Sequence, residues 1–355
     1  MNRRELLCSI AGGLAAATIG DLGKVYGAEQ DKRPHLGIAD FSYNIRLRAE
    51  RTGRMNGNLK DPLKFLDHCH MIGAGGIQMN IGIRDEEYTR KLRENAQNYD
   101  MFIEGSASLP RDKSGVEKFD AAVRTAQQAG AKVIRIAIGG RRYEQFSKAE
   151  EFKAFAERTW KSLQLAEPVA ARHRMRLAIE NHKDWRIGQM LDMLSRIGSE
   201  YVGVCIDTGN SFALLEDPME VVQAYTPYAF SVHLKDMAVD EYEDGFLLAD
   251  IPLGQGLLDL SRMVRILRKA RPGVQFSLEM ATRDPLKVPC LTEKYWATFA
   301  DVPGSDLART LRYVRANASP QILPKVNHLP LNELVELEEA NIKKCLAFAK
   351  EQLNL

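Results

Sequence analysis

Eight short apolar runs recur along the chain from residue 35, and a segment with helical periodicity follows each of them. The runs are HLGIADFSYN (35–44), GGIQMNIG (75–82), MFIEGSAS (101–108), KVIRIAIGG (132–140), RLAIENH (176–182), VGVCIDTGN (202–210), AFSVHLKDM (229–237) and QFSLEMAT (275–282). The amphipathic segments span about 61–73, 86–99, 114–130, 148–174, 184–198, 214–225, 258–270 and 305–317. Eight alternating strands and helices predict a (β/α)₈ TIM barrel.

The rest of the chain fits a single domain over residues 35–355. A last helix over about 331–352 follows the eighth unit, and we expect it to pack against the base or side of the barrel. Residues 283–304 are expected to form a long loop after the eighth strand. Since no linker or low-complexity tract interrupts the pattern, we predict no second domain.

Residues 1–28 differ in composition from the barrel pattern. They carry the twin-arginine pair Arg3-Arg4, then a mildly apolar stretch over 6–20, then small residues. This order is typical of a twin-arginine signal peptide, so we predict export to the periplasm and removal of the segment. An N-terminal helix with chance arginines is the alternative. No apolar run reaches the roughly 18 residues of a membrane-spanning helix, so we predict no stable membrane anchor.

Net charge and cysteine spacing argue against two classes of site. The formal net charge is +2 and charged residues make up 27% of the chain, which is not the basic balance of a dedicated nucleic-acid binder. Beyond the signal segment the cysteines are far apart, and none forms a CxxC or zinc-finger spacing. They are Cys69, Cys205, Cys290 and Cys345. We expect most of them to be buried free thiols, and a disulfide stays open as an alternative.

The last four strands share one parity of polar residues. Alternate residues of a strand face opposite sides, and in each of these strands the bulky residues occupy one side. The other side ends in a polar group at the C-terminal end of the strand, where barrel enzymes keep their active sites. These four groups, here called the strand-end cluster, are Glu180, Asp207, His233 and Glu279.

A cluster of three carboxylates and one imidazole in a barrel mouth predicts a bound cation. Without one, the buried negative charges would repel each other. Carboxylate oxygens and a histidine nitrogen suit one divalent ion, Mn²⁺ being preferred here and Mg²⁺, Co²⁺ or Zn²⁺ remaining open. The alternative is a set of four unrelated ion pairs at the strand ends.

The motifs IENH, CIDTGN, VHLKD and SLE, in this order, resemble those of the sugar-phosphate isomerase/epimerase family of xylose isomerase-like barrels. The resemblance covers roughly residues 35–282. It implies that the strand-end cluster binds one metal ion. It also implies that Glu180 and Glu279 flank the substrate and move a proton beside a carbonyl, a reaction that needs a base and stabilisation of the developing charge.

The sequence departs from this family pattern at two places. Asn210 stands three residues after Asp207, where epimerases and endonucleases of the superfamily often have a histidine. The endonuclease branch also needs several more histidines for a trinuclear site. The ends of strands two and three offer Gln78, Asn80, Glu104 and Ser106 instead, so we do not predict phosphodiester cleavage.

Five further residues lie where they could contact a substrate. They are His182, Trp185, Asn210, Lys235 and Arg283. His182 shares the parity of Glu180, and Lys235 that of His233. A salt bridge is an equally good explanation for Lys235, and core packing for Trp185.

Together these features predict a metal-dependent sugar isomerase or epimerase. Its partner would be a small carbohydrate and not a nucleic acid, and a homo-oligomer is open. Export favours a free, oxidised or glycosylated sugar over a sugar phosphate. One rival is a lyase or dehydratase that removes the same proton from a keto-sugar, inositol derivative or keto-glycoside. Another is a barrel that binds carbohydrate without catalysis.

Overall fold

The computed structural model describes residues 35–318 and 323–355, so the predicted export signal lies outside the described residues. The strands in this part of the chain are β1 Gly37–Ala39, β2 Gly76–Met79, β3 Phe102–Ala107, β4 Val133–Ile136, β5 Arg176–Glu180, β6 Val202–Asp207, β7 Ala229–Leu234, β8 Asp236–Tyr242, β9 Gly245–Ile251, β10 Gln275–Leu278 and β11 Leu286–Val288. Strands β1–β7 and β10 pair in parallel and close into a barrel. The predicted (β/α)₈ TIM barrel is confirmed.

Seven of the eight predicted outer helices surround the barrel at the predicted places, with ends shifted by a few residues. The helices in the described part of the chain are α1 Asn44–Arg51, α2 Pro62–Met71, α3 Glu86–Asn98, α4 Val116–Gln128, α5 Arg142–Gln145, α6 Ala149–His173, α7 Ile187–Ile197, α8 Pro218–Tyr225, α9 Leu260–Ala270, α10 Glu293–Trp296, α11 Gly304–Ala316 and α12 Leu331–Phe348. Helix α2 begins as its sequence predicts, because Asp61 caps the backbone N–H groups of Leu63 and Lys64.

The bottom of the barrel is closed by packing. The ring of Phe102 fills the space beside Gly37 and Gly76, where a Cβ atom would lie 2.3 Å and 2.4 Å from it. Only glycine fits there, because a side chain would overlap the ring. The polar ends of the strands therefore meet at the opposite, C-terminal end.

A second, smaller sheet lies beside the C-terminal ends of β6 and β7. It is antiparallel in the order β11–β9–β8 and is here called the accessory sheet. Its core includes Phe246, Tyr295 and Phe299. The expectation of a simple long loop over 283–304 was therefore wrong, because that segment contains β11 and α10. Strand β8 escaped notice because it begins one residue after β7 and is rich in charge.

The eighth outer helix is not the predicted one. Helix α11 packs on β8 and β9 of the accessory sheet. Helix α12 instead contacts α1 and the turn after β1, and its Ile342 and Cys345 join the barrel core. The order of helices along the chain did not reveal this exchange, because either helix can follow β10 without straining the connection.

The cysteines and the helices agree with the other expectations. All four cysteines in the described residues are buried free thiols. Among the same residues, the structure contains no helix with the length and apolar character needed to span a bilayer.

Candidate active site

The strand-end cluster assembles at the C-terminal end of the barrel as its parity predicts. In the strand pairing, Glu180 of β5 lies beside Cys205 of β6, and Asp207 of β6 lies beside His233 of β7. Paired residues face the same side of the sheet, so the inward-facing residues of these strands share one side. The four side chains belong to residues that are at most 4% exposed. One ligand atom from each lies within 4.8 Å of the others, which is the spacing of a single-ion site.

Two cations of the protein itself pair with these carboxylates. Arg135 of β4 donates from Nε to Glu180 Oε2 at 2.6 Å, and its Nη2 lies 3.9 Å from Glu279 Oε1. Lys235 donates to Glu279 Oε2 at 2.8 Å and lies 3.0 Å from Asp207 Oδ2. The repulsion expected from the sequence is therefore partly offset by side chains. Arg135 was missed, although its pairing with Ala178 puts it on the same inward face as Glu180.

These cations keep both glutamates ionised. Burial, the largest influence, would raise the pKa of Glu180, but Arg135 together with His233 and His182 lowers it below the usual value. Burial would also raise the pKa of Glu279, and there Lys235 and His233 hold it well below its usual range. Both carboxylates can accept a proton at neutral pH, as a general base must.

The ring of His233 is held from the opposite half of the barrel. Its Nε2 lies 2.6 Å from Gln78 Oε1, and Gln78 Nε2 donates to Glu104 Oε2 at 2.8 Å. Ser231 Oγ donates to the same Glu104 oxygen at 2.6 Å. His233 Nδ1 then faces Glu279 Oε1 at 3.5 Å and has no hydrogen-bond partner. A buried nitrogen left free beside carboxylates, with its other nitrogen held, fits a metal ligand.

Asn210 and Lys235, two of the predicted contact residues, belong to the cluster's surroundings. Asn210 Nδ2 donates to Glu180 Oε1 at 3.4 Å, and its Oδ1 accepts from Lys235 Nζ at 3.3 Å. His182 is partly exposed near them. Burial and Lys183 lower the pKa of His182 to about 4, so the imidazole is neutral at pH 7.

Of the other two predicted contact residues, Trp185 lies in the core and Arg283 lies beside the cluster, next to Asp250. Trp185 is 5% exposed and packs on the rings of Phe152 and Phe155, with centroids 5.5 Å and 5.9 Å away. This is the core-packing alternative. Arg283 forms an ion pair with Asp250 Oδ2 at 2.7 Å.

Asp250 itself was missed because it lies on β9 of the accessory sheet. Its Oδ1 is 3.6 Å from Lys235 Nζ, which ties the accessory sheet to the strand-end cluster. Burial would raise the pKa of Asp250, but Arg283 and Lys235 hold it below its usual value. The apolar run Gly245–Ile251, which carries this carboxylate, was not recognised as a strand.

Fold and site together define a parallel barrel with a buried carboxylate–histidine cluster at its C-terminal end. Residues 66–312 match the family described as xylose isomerase-like TIM barrel. The chain belongs to this family.

A curated relative and two solved structures are similar to the chain. A 3-oxo-isoapionate decarboxylase of Pectobacterium atrosepticum is 30% identical over 103 residues, which is 28% of this chain and 38% of that protein. The chain thus spans well under half of this relative. A D-psicose 3-epimerase, crystallised in the presence of D-fructose, superposes with a TM-score of 0.53 at 13% identity, over 84% of this chain and 95% of that one.

A xylose isomerase-like barrel protein from Mycobacterium smegmatis, in complex with magnesium, gives a TM-score of 0.50 at 15% identity. The superposition covers 78% of this chain and 98% of the other. At such low identity these two structures support the fold alone.

Proposed function

We propose that this protein is a divalent-metal-dependent isomerase or epimerase of a small carbohydrate. The observation that carries the proposal is the buried convergence of Glu180 and Glu279 with His233 and Asp207 within 4.8 Å. Strands β5 and β10 are separated by β6 and β7 in the barrel, so the two glutamates reach the centre from different sides. That arrangement suits removal of a proton from one face of a carbon and its return on the other.

The strand-end cluster would hold the ion, Mn²⁺ being our first choice. Bound there, a divalent ion supplies Lewis-acid stabilisation for the negative charge that develops beside the carbonyl. One glutamate, as the carboxylate, would take the proton from the substrate carbon. The other would first have to take up a proton from solvent and would then return it to the opposite face of that carbon. Arg135 and Asn210 fix the orientation of Glu180 through hydrogen bonds of 2.6 Å and 3.4 Å. Burial limits contact with bulk water during the transfer, and the carboxylate exchanges its proton with solvent between turnovers.

Deuterium exchange tests this proposal. The Mn²⁺-loaded protein is incubated in D₂O with a panel of free, keto- and glycosylated sugars, and NMR follows exchange at carbons beside a carbonyl. We expect exchange that Glu180→Gln and Glu279→Gln each reduce by roughly 10²–10⁴-fold. Glu220→Gln, an exposed glutamate on α8, serves as the matched control. Unchanged exchange in both active-site variants would contradict the two-glutamate assignment.

A second candidate uses the same glutamates as acid or base but breaks a bond to a neighbouring carbon or oxygen. A lyase or dehydratase does so after taking the proton beside the carbonyl, whereas a decarboxylase loses CO₂ and then returns a proton to the carbon. The 30% identical relative, a decarboxylase, favours it. Product analysis in the same experiment separates the two: an epimer or isomer supports the first candidate. Loss of water, alcohol or CO₂ supports the second.

We also propose that the protein acts outside the cytoplasm. The support is the twin-arginine pair Arg3-Arg4 followed by a mildly apolar stretch. Fractionation of cells that express the full chain or its Arg3→Lys/Arg4→Lys variant tests this. We expect the mature protein in the periplasm only when the arginines are present, and equal distribution of both forms would contradict export.

A further inference from the structure

Lys183 is a buried cation that the proposed reaction does not use. It follows β5 by three residues, is 1% exposed, and donates a hydrogen bond from Nζ to Asn210 Oδ1. Lys235 Nζ lies 3.3 Å from the same oxygen. Two ammonium groups thus converge on one neutral amide oxygen, which offsets neither charge.

The nearby carboxylates are paired with other cations. Lys235 lies beside Asp207, Asp250 and Glu279, at 3.0 Å, 3.6 Å and 2.8 Å. Arg135 takes Glu180, and Arg283 takes Asp250. Among the described residues, no carboxylate oxygen lies within 4.0 Å of Lys183 Nζ, the distance limit for an ion pair. It is therefore the basic group of this region whose charge is left without a direct counter-ion.

Keeping this charge buried costs free energy. Burial, and next the neighbouring Lys235, lower the pKa of Lys183 to about 7. A methionine of similar length would fill the same space without that cost. A buried residue that lowers stability, at a place where an apolar side chain would pack equally well, is expected to have a function.

The charges of the region also favour an anion once the site is loaded. Four basic side chains, Arg135, Lys183, Lys235 and Arg283, lie close to the carboxylates Glu180, Asp207, Asp250 and Glu279. A divalent ion would add two positive charges to a region that already holds these cations. A substrate that carries one negative group, and that gains negative charge in the reaction, offsets this added charge.

We propose that Lys183 and Lys235, positioned by Asn210, bind a carboxylate group of the substrate, so that the protein acts on a sugar acid. This inference rests on the proposed function of the same site and names its substrate class. A planar carboxylate with two oxygens matches two donors that now share one oxygen. Because Lys183 and Asn210 are at most 1% exposed, a small carboxylate needs less rearrangement to reach them than a bulkier tetrahedral phosphate does.

A matched pair of ligands tests the inference. 2-Keto-D-gluconate and D-fructose share the carbon chain and the 2-keto group, and differ in a carboxylate or a hydroxymethyl group at C1. Isothermal titration calorimetry measures both Kd values, with EDTA and with Mn²⁺. We expect the full chain to bind the acid at least ten-fold tighter than the neutral sugar. Lys183→Met should remove most of this preference by weakening binding of the acid much more than binding of D-fructose, whereas the exposed Lys161→Met should change neither.

Thermal unfolding separates binding from a structural role. If Lys183 acts on the substrate, Lys183→Met should keep or raise the Tm, because it removes a buried charge; a fall in Tm with an unchanged preference would overturn the inference. Lys183→Gln gives the same test if the methionine variant does not fold. Equal affinity for both sugars, or tighter binding of D-fructose 1-phosphate than of the acid, would also overturn it.

The same data distinguish this failure from failure of the proposed function. Deuterium exchange into D-fructose without any preference for the acid leaves the isomerase proposal standing and rejects the carboxylate site. A preference for the acid with EDTA, lost in Lys183→Met, supports the carboxylate site even where no exchange is seen with Mn²⁺.

Discussion

The two halves of the barrel rim differ in charge and in exposure. Strands β5, β6, β7 and β10 end in the strand-end cluster, which is buried beside the accessory sheet. Strands β1–β4 end in a more exposed rim, where Phe41 is 43% exposed and Asn80 and Ala137 are exposed. The half that contains the strand-end cluster thus keeps the reactive groups away from water. The other half, formed by the ends of β1–β4 and here called the open half, is the side from which a small molecule can approach them. This division suits an enzyme that admits a small molecule from one side.

The open half nevertheless supports the reactive one from within. Arg135 on β4 reaches Glu180, and Gln78 on β2 reaches His233. Glu104 on β3 holds Gln78 in turn. The difference between the halves is therefore one of role: one supplies candidate ligands, and the other supplies the groups that orient them.

The largest expected effect comes from removing the cation that the open half supplies. In EDTA, Arg135→Met should lower the free energy of unfolding by about 3–5 kcal/mol, because it leaves buried Glu180 without its partner. Urea denaturation measures this, and Mn²⁺ should recover part of the loss by supplying positive charge. Arg141→Met, which breaks an exposed pair with Glu144, is the control and should cost less than about 1 kcal/mol. An equal loss in both variants would show that the two halves are not coupled through Arg135.

The next effect is a pH dependence centred on Glu104. Burial raises its pKa from 4.5 to about 7, so between these values the folded protein holds a proton that the unfolded chain has lost. Its contribution to stability is present below pH 4.5 and disappears as the pH rises through 7, at most roughly 3 kcal/mol. Glu104→Gln should therefore gain stability relative to the wild type from pH 5 to pH 8, measured by urea denaturation in EDTA. Parallel pH curves for the two proteins would reject this assignment.

A smaller effect should follow when the support of His233 is removed. Gln78→Leu keeps the size of the side chain but frees His233 Nε2 and leaves the ring orientation unfixed. We expect Mn²⁺ affinity to fall by roughly 10–100-fold, the usual consequence of losing a group that orients a metal ligand. Competition with a chelator measures the affinity, and Asn80→Leu on the same rim is the control. Unchanged affinity would mean that the open half does not position the ligand.

The smallest effect concerns the accessory sheet. The Tyr295 hydroxyl donates to the Ala213 carbonyl at 2.9 Å, which ties α10 to the turn after β6. Tyr295→Phe should lower stability by about 1 kcal/mol, seen as a lower Tm, and Tyr228→Phe at an exposed ring should not. An unchanged Tm would show that this contact does not hold the accessory sheet on the barrel.

Strand parity predicted the strand-end cluster because the alternation of faces is a local property of a strand. Glu180, Asp207, His233 and Glu279 could be placed together before any tertiary contact was known. Arg135 obeyed the same rule but was overlooked, since a single charge in a short apolar strand gives a weak signal. Asp250 could not be predicted, because its position depends on how the accessory sheet folds back over β7.

The sequence also failed to show that α12, and not α11, packs against the barrel, and the cause is similar. Both segments have helical periodicity, and the sequence contains nothing local that says which one lies against the barrel. Only long-range contacts decide it, such as Asn341 with Thr282 at 3.0 Å. The predicted contact roles of Trp185 and Arg283 depended on the same kind of information.

The N-terminal cap of helix α1 determines when, during synthesis, the first part of the barrel can finish folding. The first N–H groups of α1, from Ile45 and Arg46, are satisfied by Glu338 of α12 at 2.8 Å and 3.1 Å. A ribosome must therefore add almost 300 further residues before the beginning of the barrel obtains its cap. Until then the first βα unit lacks both its cap and its outer neighbour, so the growing chain cannot complete the barrel strand by strand. Folding of this protein is expected to be largely post-translational.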